Sequence, residues 1–337
     1  MDIKTTHNFY MSRCIEVAKK GIGKTYPNPS VGCVIVNKDT IISEAFSSKY
    51  GGSHAEVNAI NKVKNKDLLK TSTLYVTLEP CSHYGRTPPC CNTISNNKIP
   101  NVVIGTVDNS NKVNGRGIEF LKQNNINVIN GVLENKCKEL HKNFLYFNKN
   151  KRPYIILKWA QSNDKLFSPL KKTKNRPFWI SSKKSRQLVH KWRSEEHAIL
   201  VGYNTVVHDN PNLNVRNWKG KNPIRIVVDI ENKLNNKFKV FSDQAKTITI
   251  TKDNIDSSIH IASEISSFLF KKNIQSVIVE GGKKTLDEFI KTNLWDEARI
   301  FTNNKNLKIG IEAPKLNGKI ILEKKIDDDD LKIMKPL

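Results

Sequence analysis

Leu74-Tyr75-Val76-Thr77-Leu78-Glu79-Pro80-Cys81-Ser82-His83-Tyr84-Gly85-Arg86-Thr87-Pro88-Pro89-Cys90 joins an apolar run to two cysteines, and its reading decides the fold of the first half of the chain. Residues 74–78 have the composition of a buried strand. Pro80, with no N–H to give a ladder, stops that strand directly before Cys81. A helix is expected to begin near Cys90 and run through Ile94. Upstream, His54-Ala55-Glu56 leads into Val57, Ala59, Ile60 and Val63 at helical spacing, so His54 falls at a helix start. Two helix N-termini and a strand end are thus predicted to bring together one imidazole, two thiols and a spare carboxylate.

Those groups, in that order, suit a hydrolytic zinc site. Zinc held by three protein ligands keeps its fourth tetrahedral position for water and lowers the pKa of that water to about 7. His54, Cys81 and Cys90 are the expected ligands. Glu56, two residues from His54, can sit beside the metal and carry a proton from water to a leaving amino group, as the glutamate of zinc deaminases does. In a chain of 337 residues, scattered His and Cys sometimes fall into such an order, and buried cysteines are common core residues. The strand and helix flanks argue against that blander reading. Cys91 and His83 compete as ligands. Cys91 is expected to point away from the metal, and His83 to be a loop or substrate-side residue.

The length suggests two domains, each able to bury its own core. In the first half the expected order begins with a helix over 9–20, a hairpin-like strand pair over 31–36 and 41–46, the His54 helix, the Leu74 strand and the Cys90 helix. A strand over 102–106, a helix around 118–123, a strand over 127–130 and a long helix over 133–147 follow. Strands interleaved with helices imply an α/β fold with a sheet covered on both faces. Polar, charged residues 148–152 before Pro153 form the expected linker between a domain of residues 1–147 and one of 153–337. In the second half, strands are expected over 154–159, 198–202, 224–229, 247–251, 276–280 and 297–301, with helices over 182–193, 261–272 and 286–292. Asp327 to Asp330 reads as a solvated turn before a last strand, because adjacent like charges repel and rarely bury.

The six cysteines do not suggest a disulfide framework; Cys14, Cys33 and Cys137 fall among apolar positions as reduced core residues. No apolar run approaches the roughly 20 residues of a membrane span, and the first residues carry no hydrophobic signal, so a cytoplasmic protein is expected. The net charge of +24 raises nucleic acid as a partner. Lys, Asn and Ile are abundant throughout, however, and no arginine-rich, aromatic-interleaved stripe stands out. Compositional drift accounts for the charge better than a binding groove, although phosphorylated small molecules would be attracted.

Eight residues separate Cys81 from Cys90, where deaminases of cytidine and of nucleic-acid bases have two. This longer loop, with Tyr26-Pro27-Asn28-Pro29-Ser30-Val31-Gly32-Cys33-Val34-Ile35-Val36, resembles the deaminase half of the bifunctional riboflavin-biosynthesis family, diaminohydroxyphosphoribosylaminopyrimidine deaminase / 5-amino-6-(5-phosphoribosylamino)uracil reductase. The resemblance is most specific over residues 7–147. It implies a cytidine-deaminase-like three-layer α/β/α domain with zinc on His54, Cys81 and Cys90 and Glu56 as proton carrier. Asn28 and the loop from Ser82 to Thr87 would face the pyrimidine and its ribose phosphate.

In the second half, Val279-Glu280-Gly281-Gly282 places two glycines between an apolar strand and a helix, where backbone N–H groups can approach a phosphate; a plain tight turn is about as good a reading. Arg152-Pro153-Tyr154, Lys158, Trp179-Ile180-Ser181, Arg193, His197 to Gly202, Thr205-Val206, Asp209-Asn210-Pro211, Leu213 and Arg216 occur in the order of that family's reductase half. The resemblance implies a dihydrofolate-reductase-like α/β domain using NADPH. Ala160, Trp179, Thr205, Asp209, Gly282, Lys283, Lys284, Thr285, Leu286, Asp287 and Glu288 would line the cofactor site. Pro177, Arg193, Leu213, Arg216 and Glu280 would meet the substrate. Guanidinium forks at Arg193 and Arg216 suit a ribose phosphate; surface charge pairing is the plainer alternative.

Two positions depart from the family pattern. Lys165 stands where Ser162-Asn163-Asp164 would be followed by glycine, and Pro177 replaces a polar residue. They leave open a deaminase with an inactive reductase. The other rivals are a nucleic-acid base deaminase and a nucleic-acid-binding protein with a structural zinc, which would leave Glu56 without a purpose. The resemblance implies two successive steps on phosphorylated pyrimidines: hydrolytic deamination, then NADPH-dependent reduction of the ribosyl side chain. A homo-oligomer is a separate expectation.

Overall fold

The computed structural model describes residues 3–85, 87–110, 113–170, 178–256, 258 and 260–337. The chain divides into two units, Met1–Lys151 and Arg152–Leu337.

The first unit begins with α1 (Ile3–Lys19), β1 (Gly32–Asn37), β2 (Thr40–Phe46), α2 (Ala55–Lys62) and β3 (Thr73–Val76). It continues with α3 (Cys90–Asn96), β4 (Asn101–Ile104), α4 (Arg116–Gln123), β5 (Asn127–Asn130), α5 (Glu134–Leu140) and α6 (Lys142–Asn150). Its five-stranded sheet has the order β2-β1-β3-β4-β5. β1 pairs antiparallel with β2 and β3, whereas β3, β4 and β5 run parallel. Period-two alternation sends side chains to two cores. Cys33, Ile35, Leu74, Val76, Val102 and Ile104 pack with Ala59 and Ile60 of α2, Ile94 of α3 and Leu121 of α4. Val34, Val36, Tyr75 and Val103 pack on the opposite face with Met11, Cys14 and Ile15 of α1 and Cys137 of α5. Helices on both faces of one sheet make the three-layer arrangement.

The helix expected over 133–147 is two. It breaks at His141 (φ −99°, ψ 13°), which is buried with its Nε2 3.0 Å from Thr77 Oγ1. Burial holds this imidazole down to about 3, so it is neutral. Residues 148–150, expected as linker, form the last turn of α6, which ends at Lys151 in the left-handed region (φ 55°).

The second unit contains β6 (Tyr154–Gln161), β7 (Leu166–Ser168), α7 (Lys183–Glu195), β8 (Ala198–Gly202), α8 (Tyr203–Asp209), β9 (Ile224–Val228) and β10 (Thr247–Ile250). Beyond these lie α9 (Ile261–Lys271), β11 (Ser276–Gly281), α10 (Lys283–Lys291), β12 (Glu297–Asn303), β13 (Ile311–Glu312), β14 (Lys319–Ile326) and β15 (Asp329–Lys335). An eight-stranded sheet has the order β10-β9-β8-β11-β6-β12-β15-β14. It is parallel from β10 through β12, and β15 and β14 are added antiparallel. One face packs Leu157, Leu200, Ile226 and Val279 against Ile265 and Leu269 of α9 and Leu286 and Phe289 of α10. The other buries Ile199, Val201 and Val227 with Val206 and Leu213.

The Asp327–Asp330 run is only partly solvated. Asp329 is fully buried: its carboxylate accepts from the Ser182 N–H at 2.8 Å, at the start of α7, and from Asn303 Nδ2 at 2.6 Å. Two donors offset the desolvation that the run of like charges was expected to forbid. Among the described residues no helix is long and apolar enough to cross a membrane.

Candidate active site

His54 is the N-cap residue of α2 in extended conformation (φ −74°, ψ 169°). Asn58, one turn on, donates to Phe46 O, Ser48 Oγ and Ser53 O, which ties the start of α2 to the end of β2. Cys81 lies in the loop after β3, and Cys90 is the first residue of α3. His54 Nδ1 is 3.5 Å from Cys81 Sγ and 3.3 Å from Cys90 Sγ, and all three donor atoms lie within 4.8 Å of one another. A tetrahedral ion with a nitrogen at about 2.0 Å and a sulfur at about 2.3 Å separates the two by about 3.5 Å, so the donor set fits zinc in both softness and spacing.

The electrostatics fit as well. The hydrogen bond with Cys90, then that with His54, draws the Cys81 thiol down to about 4, while Cys90 is pushed upward. The hydrogen bond with Cys81 lifts His54 to about 9 against the cost of burial. Without metal, imidazolium and thiolate thus stabilise each other; zinc takes neutral imidazole and thiolates, so its binding displaces these protons. Glu56 is buried at 3% exposure; desolvation lifts its carboxyl to about 7, with the His54 charge pulling the other way. A carboxyl poised there can both take and return a proton near neutral pH.

Cys91 faces away from the cluster: its Sγ donates to Pro80 O at 3.4 Å, and the residue is buried in the core beside Ile94. His83 is half-buried, and its Nδ1 has no hydrogen-bond partner among the described residues. Asn28 sits half-buried in the loop between α1 and β1, where its N–H donates to Thr25 O and its carbonyl accepts from Thr25 Oγ1. Arg86, within the expected substrate loop, lies outside the described residues. Sequence reasoning missed Asp108, buried after β4, whose Oδ1 accepts from the Ser110 N–H at 2.8 Å and whose carboxyl burial pushes upward, with the Ser110 hydrogen bonds and the His83 charge opposing. A lone acid after a strand gives no periodic signal.

In the second unit Arg193 of α7 donates from Nε and Nη2 to the Glu280 carboxylate at 3.0 and 2.6 Å, and from Nη1 to Asn214 O at 3.3 Å. This bidentate pair is buried on both sides, which replaces the surface charge pairing offered as an alternative. Burial alone would raise the Glu280 carboxyl, but Arg193 and then Lys158 hold it down to about 2. Lys158 is itself pulled below its ordinary value by burial, with Glu280 opposing and Arg193 assisting. Arg216 is exposed; its Nη1 donates to Asn214 Oδ1 at 3.0 Å and its backbone N–H to His190 Nδ1 at 3.4 Å. Leu213 is buried at φ 49° beside this group. His190 was missed: burial, then Arg193, hold it at about 4, so a neutral imidazole lies among cations.

The ends of parallel strands β8 and β11 meet tightly. A Cβ on Gly281 would lie 2.7 Å from Val201 Cα, and one on Gly202 would lie 2.5 Å from Thr285 Oγ1. Gly282 (φ +62°) has Thr205 Oγ1 3.0 Å from where a Cβ would stand. Thr205, Gly282 and Thr285 are thus brought together at the starts of α8 and α10, in a cradle of backbone that suits a phosphate. Lys283 pairs with Asp287 at 2.7 Å, Lys284 is exposed and Glu288 is half-buried. Leu286 is wholly buried in the core, so only its backbone can border a ligand. Asp209 ends α8, and Ala160 is half-buried on β6. Trp179 is half exposed, with the Arg186 guanidinium 5.1 Å above its ring. Pro177 lies outside the described residues. Lys165 takes the left-handed conformation expected of glycine (φ 59°) and still closes its turn, Lys165 N–H donating to Ser162 O at 3.0 Å.

Residues 4–106 match the family described as the cytidine and deoxycytidylate deaminase zinc-binding region, and residues 153–307 match the RibD C-terminal domain. The riboflavin biosynthesis protein RibD of Aquifex aeolicus (strain VF5) is 37% identical over 330 residues, covering 93% of this chain and 91% of its own length. Its counterpart in Escherichia coli (strain K12) is 32% identical over 344 residues, covering 92% and 88%. The crystal structure of a diaminohydroxyphosphoribosylaminopyrimidine deaminase / 5-amino-6-(5-phosphoribosylamino)uracil reductase from Thermotoga maritima superimposes with a TM-score of 0.89 at 36% identity, covering 99% of both chains.

Proposed function

The chain belongs to the RibD family of riboflavin biosynthesis, with a deaminase and a reductase domain in one polypeptide, and from that membership we propose which side chains do the work. Residues 1–147 act as the zinc-dependent deaminase and 153–337 as the NADPH-dependent reductase, with 148–152 between them. The observation that carries the first assignment is the convergence of His54, Cys81 and Cys90 within 4.8 Å beside a buried Glu56.

In the deaminase, His54, Cys81 and Cys90 hold the zinc, which when bound supplies the Lewis acidity that makes water nucleophilic near neutral pH. Glu56 takes the proton from the attacking water and delivers it to the departing amino group. The amino-bearing carbon of 2,5-diamino-6-(5-phosphoribosylamino)pyrimidin-4(3H)-one gains oxygen, and ammonia leaves. Asn28 and the Ser82–Thr87 loop face the pyrimidine and its ribose phosphate.

In the reductase, NADPH supplies the hydride that converts the ribosyl side chain of 5-amino-6-(5-phosphoribosylamino)uracil to ribityl. The glycine cradle at Gly282 to Glu288, with Ala160, Trp179, Thr205 and Asp209, orients the cofactor. Arg193, Leu213, Arg216, Glu280 and Pro177 form the substrate side, where alignment of donor and acceptor is the protein's main contribution. Lys158 and Asp209 are the candidates for delivering the accompanying proton. The turn at Lys165 keeps its shape, which supports a working reductase. Family membership sets aside the nucleic-acid base deaminase and the structural-zinc reading. We take the partners to be phosphorylated pyrimidines, with neither nucleic acid nor membrane, and the location to be the cytoplasm.

Mass spectrometry of products from the diaminopyrimidinone, with and without NADPH, tests this. An amino group exchanged for oxygen, followed by a two-hydrogen gain only when NADPH is present, is expected. Deamination without reduction overturns the reductase assignment, and absence of turnover overturns both.

A further inference from the structure

Glu79, between the strand and the Pro80-Cys81 turn, is 4% exposed, yet among the described residues no ion pair holds it and it is not part of the His54 cluster. Its carboxylate instead collects four backbone N–H groups. Oε1 accepts from Gly117 at 2.8 Å and Ile118 at 3.3 Å; Oε2 accepts from Gly115 at 3.1 Å and Asp108 at 3.2 Å. These donors belong to the first turn of α4 and to the loop after β4. Gly117 has no room for a side chain: a Cβ would stand 2.2 Å from Pro80 O. The next two residues are held as firmly, Pro80 O by the Cys91 thiol at 3.4 Å and Cys81 O by the Cys91 N–H at 3.2 Å.

We propose that Glu79 is a positioning residue of the deaminase, a latch that fixes both the Cys81 ligand and the Asp108 loop by locking the Pro80-Cys81 turn onto the start of α4. The proposal rests on the deaminase reading above. An ion held by three ligands depends on the orientation of each, and a turn without regular hydrogen bonds supplies none by itself. The carboxylate is acceptor-only and can satisfy four donors at once. Glutamine keeps the shape but turns one oxygen into a donor facing N–H groups, which breaks half of the latch and leaves buried N–H groups unpaired. Because the same carboxylate binds the Asp108 N–H at 3.2 Å, loss of the latch also loosens the loop after β4.

The test uses the full-length, zinc-loaded chain and its Glu79→Gln and Cys91→Ala variants. Three quantities are read: the rate of zinc release to excess chelator, deaminase kcat and KM, and reductase turnover of the aminouracil. For Glu79→Gln, zinc release is expected to accelerate about 10–100-fold and deaminase kcat to fall by a similar factor, as for other outer-shell partners of metal ligands. KM should shift much less, and reductase turnover should hold. Cys91→Ala, which removes the thiol lying 3.4 Å from Pro80 O and 3.5 Å from Gly117 O and so bridging the turn to α4, should release zinc faster by a smaller factor. Release and kcat within about twofold of the parent in Glu79→Gln overturn the latch. If that variant yields no folded deaminase unit, the same comparison in Cys91→Ala decides. A parent chain that binds no zinc sinks the deaminase reading instead, so the two failures are distinguishable.

Discussion

Replacing Glu280 by glutamine removes one charge from a buried cluster and should cost the second unit much of its stability. Its side chain is only 10% exposed and that of Arg193 9%, so solvent screens the pair weakly. Holding the carboxyl down from 4.5 to about 2 corresponds to about 3 kcal/mol of native-state preference for the carboxylate. The cost of breaking a buried pair by removing one partner, about 3–5 kcal/mol, agrees with that figure. Because the folded value is depressed, the contribution is fully present above pH 4.5 and is lost as pH falls through 2. The gap between parent and variant should therefore be about 3 kcal/mol at pH 7 and about half that near pH 3. All five tryptophans (159, 179, 192, 218 and 295) lie in the second unit, so tryptophan fluorescence during urea unfolding reports that unit alone. A loss below about 1 kcal/mol at pH 7, or a gap that does not narrow in acid, would refute the reasoning.

Glu56→Gln should lower deaminase kcat by about 10²-fold or more while leaving zinc content and NADPH-dependent reduction near parental values, read by product mass and metal analysis; near-parental deamination removes Glu56 from the mechanism. Lys165→Gly should raise the stability of the second unit by about 0.5–1 kcal/mol, since a lysine at φ 59° bears a strain that glycine does not. An unchanged urea midpoint would count against that. His141, held at about 3, and His190 and His197, each at about 4, lie below the ordinary 6.5, so their stability is intact above 6.5 and lost as pH falls toward 4. Each should cost about 2 kcal/mol between pH 7.5 and 5, and His141→Gln should flatten the acid sensitivity of the first unit's circular-dichroism melt.

The parts of this molecule legible in sequence are those written in periodic apolar residues or in chemistry-bearing side chains. β5 and β8 have the bounds expected of them, Asn127–Asn130 and Ala198–Gly202. His54, Cys81 and Cys90 stood out because helix starts and a broken strand flank them. Illegible features depend on partners far along the chain. His141 divides a helix because Thr77, 64 positions away, is its neighbour. Asp329 buries because Ser182 and Asn303 donate to it. Glu79 lies past the expected 74–78 strand and drew no reading, because its donors lie 29 to 39 positions downstream. Local propensity carries no information about such pairs.

The close meeting of β8 and β11 has a consequence for how this enzyme can change. Any side chain at Gly281 must displace the Val201 backbone, at 2.7 Å, and the Gly202 nitrogen, at 2.9 Å, neither of which can swing aside as a side-chain tip does. If this turn holds the cofactor as proposed, Gly281 is closed to substitution there, whereas Lys284 is exposed. On that proposal, a directed library aimed at dinucleotide preference should spend its diversity on exposed positions such as Lys284 and leave Gly281 fixed, since a side chain there meets backbone on both sides.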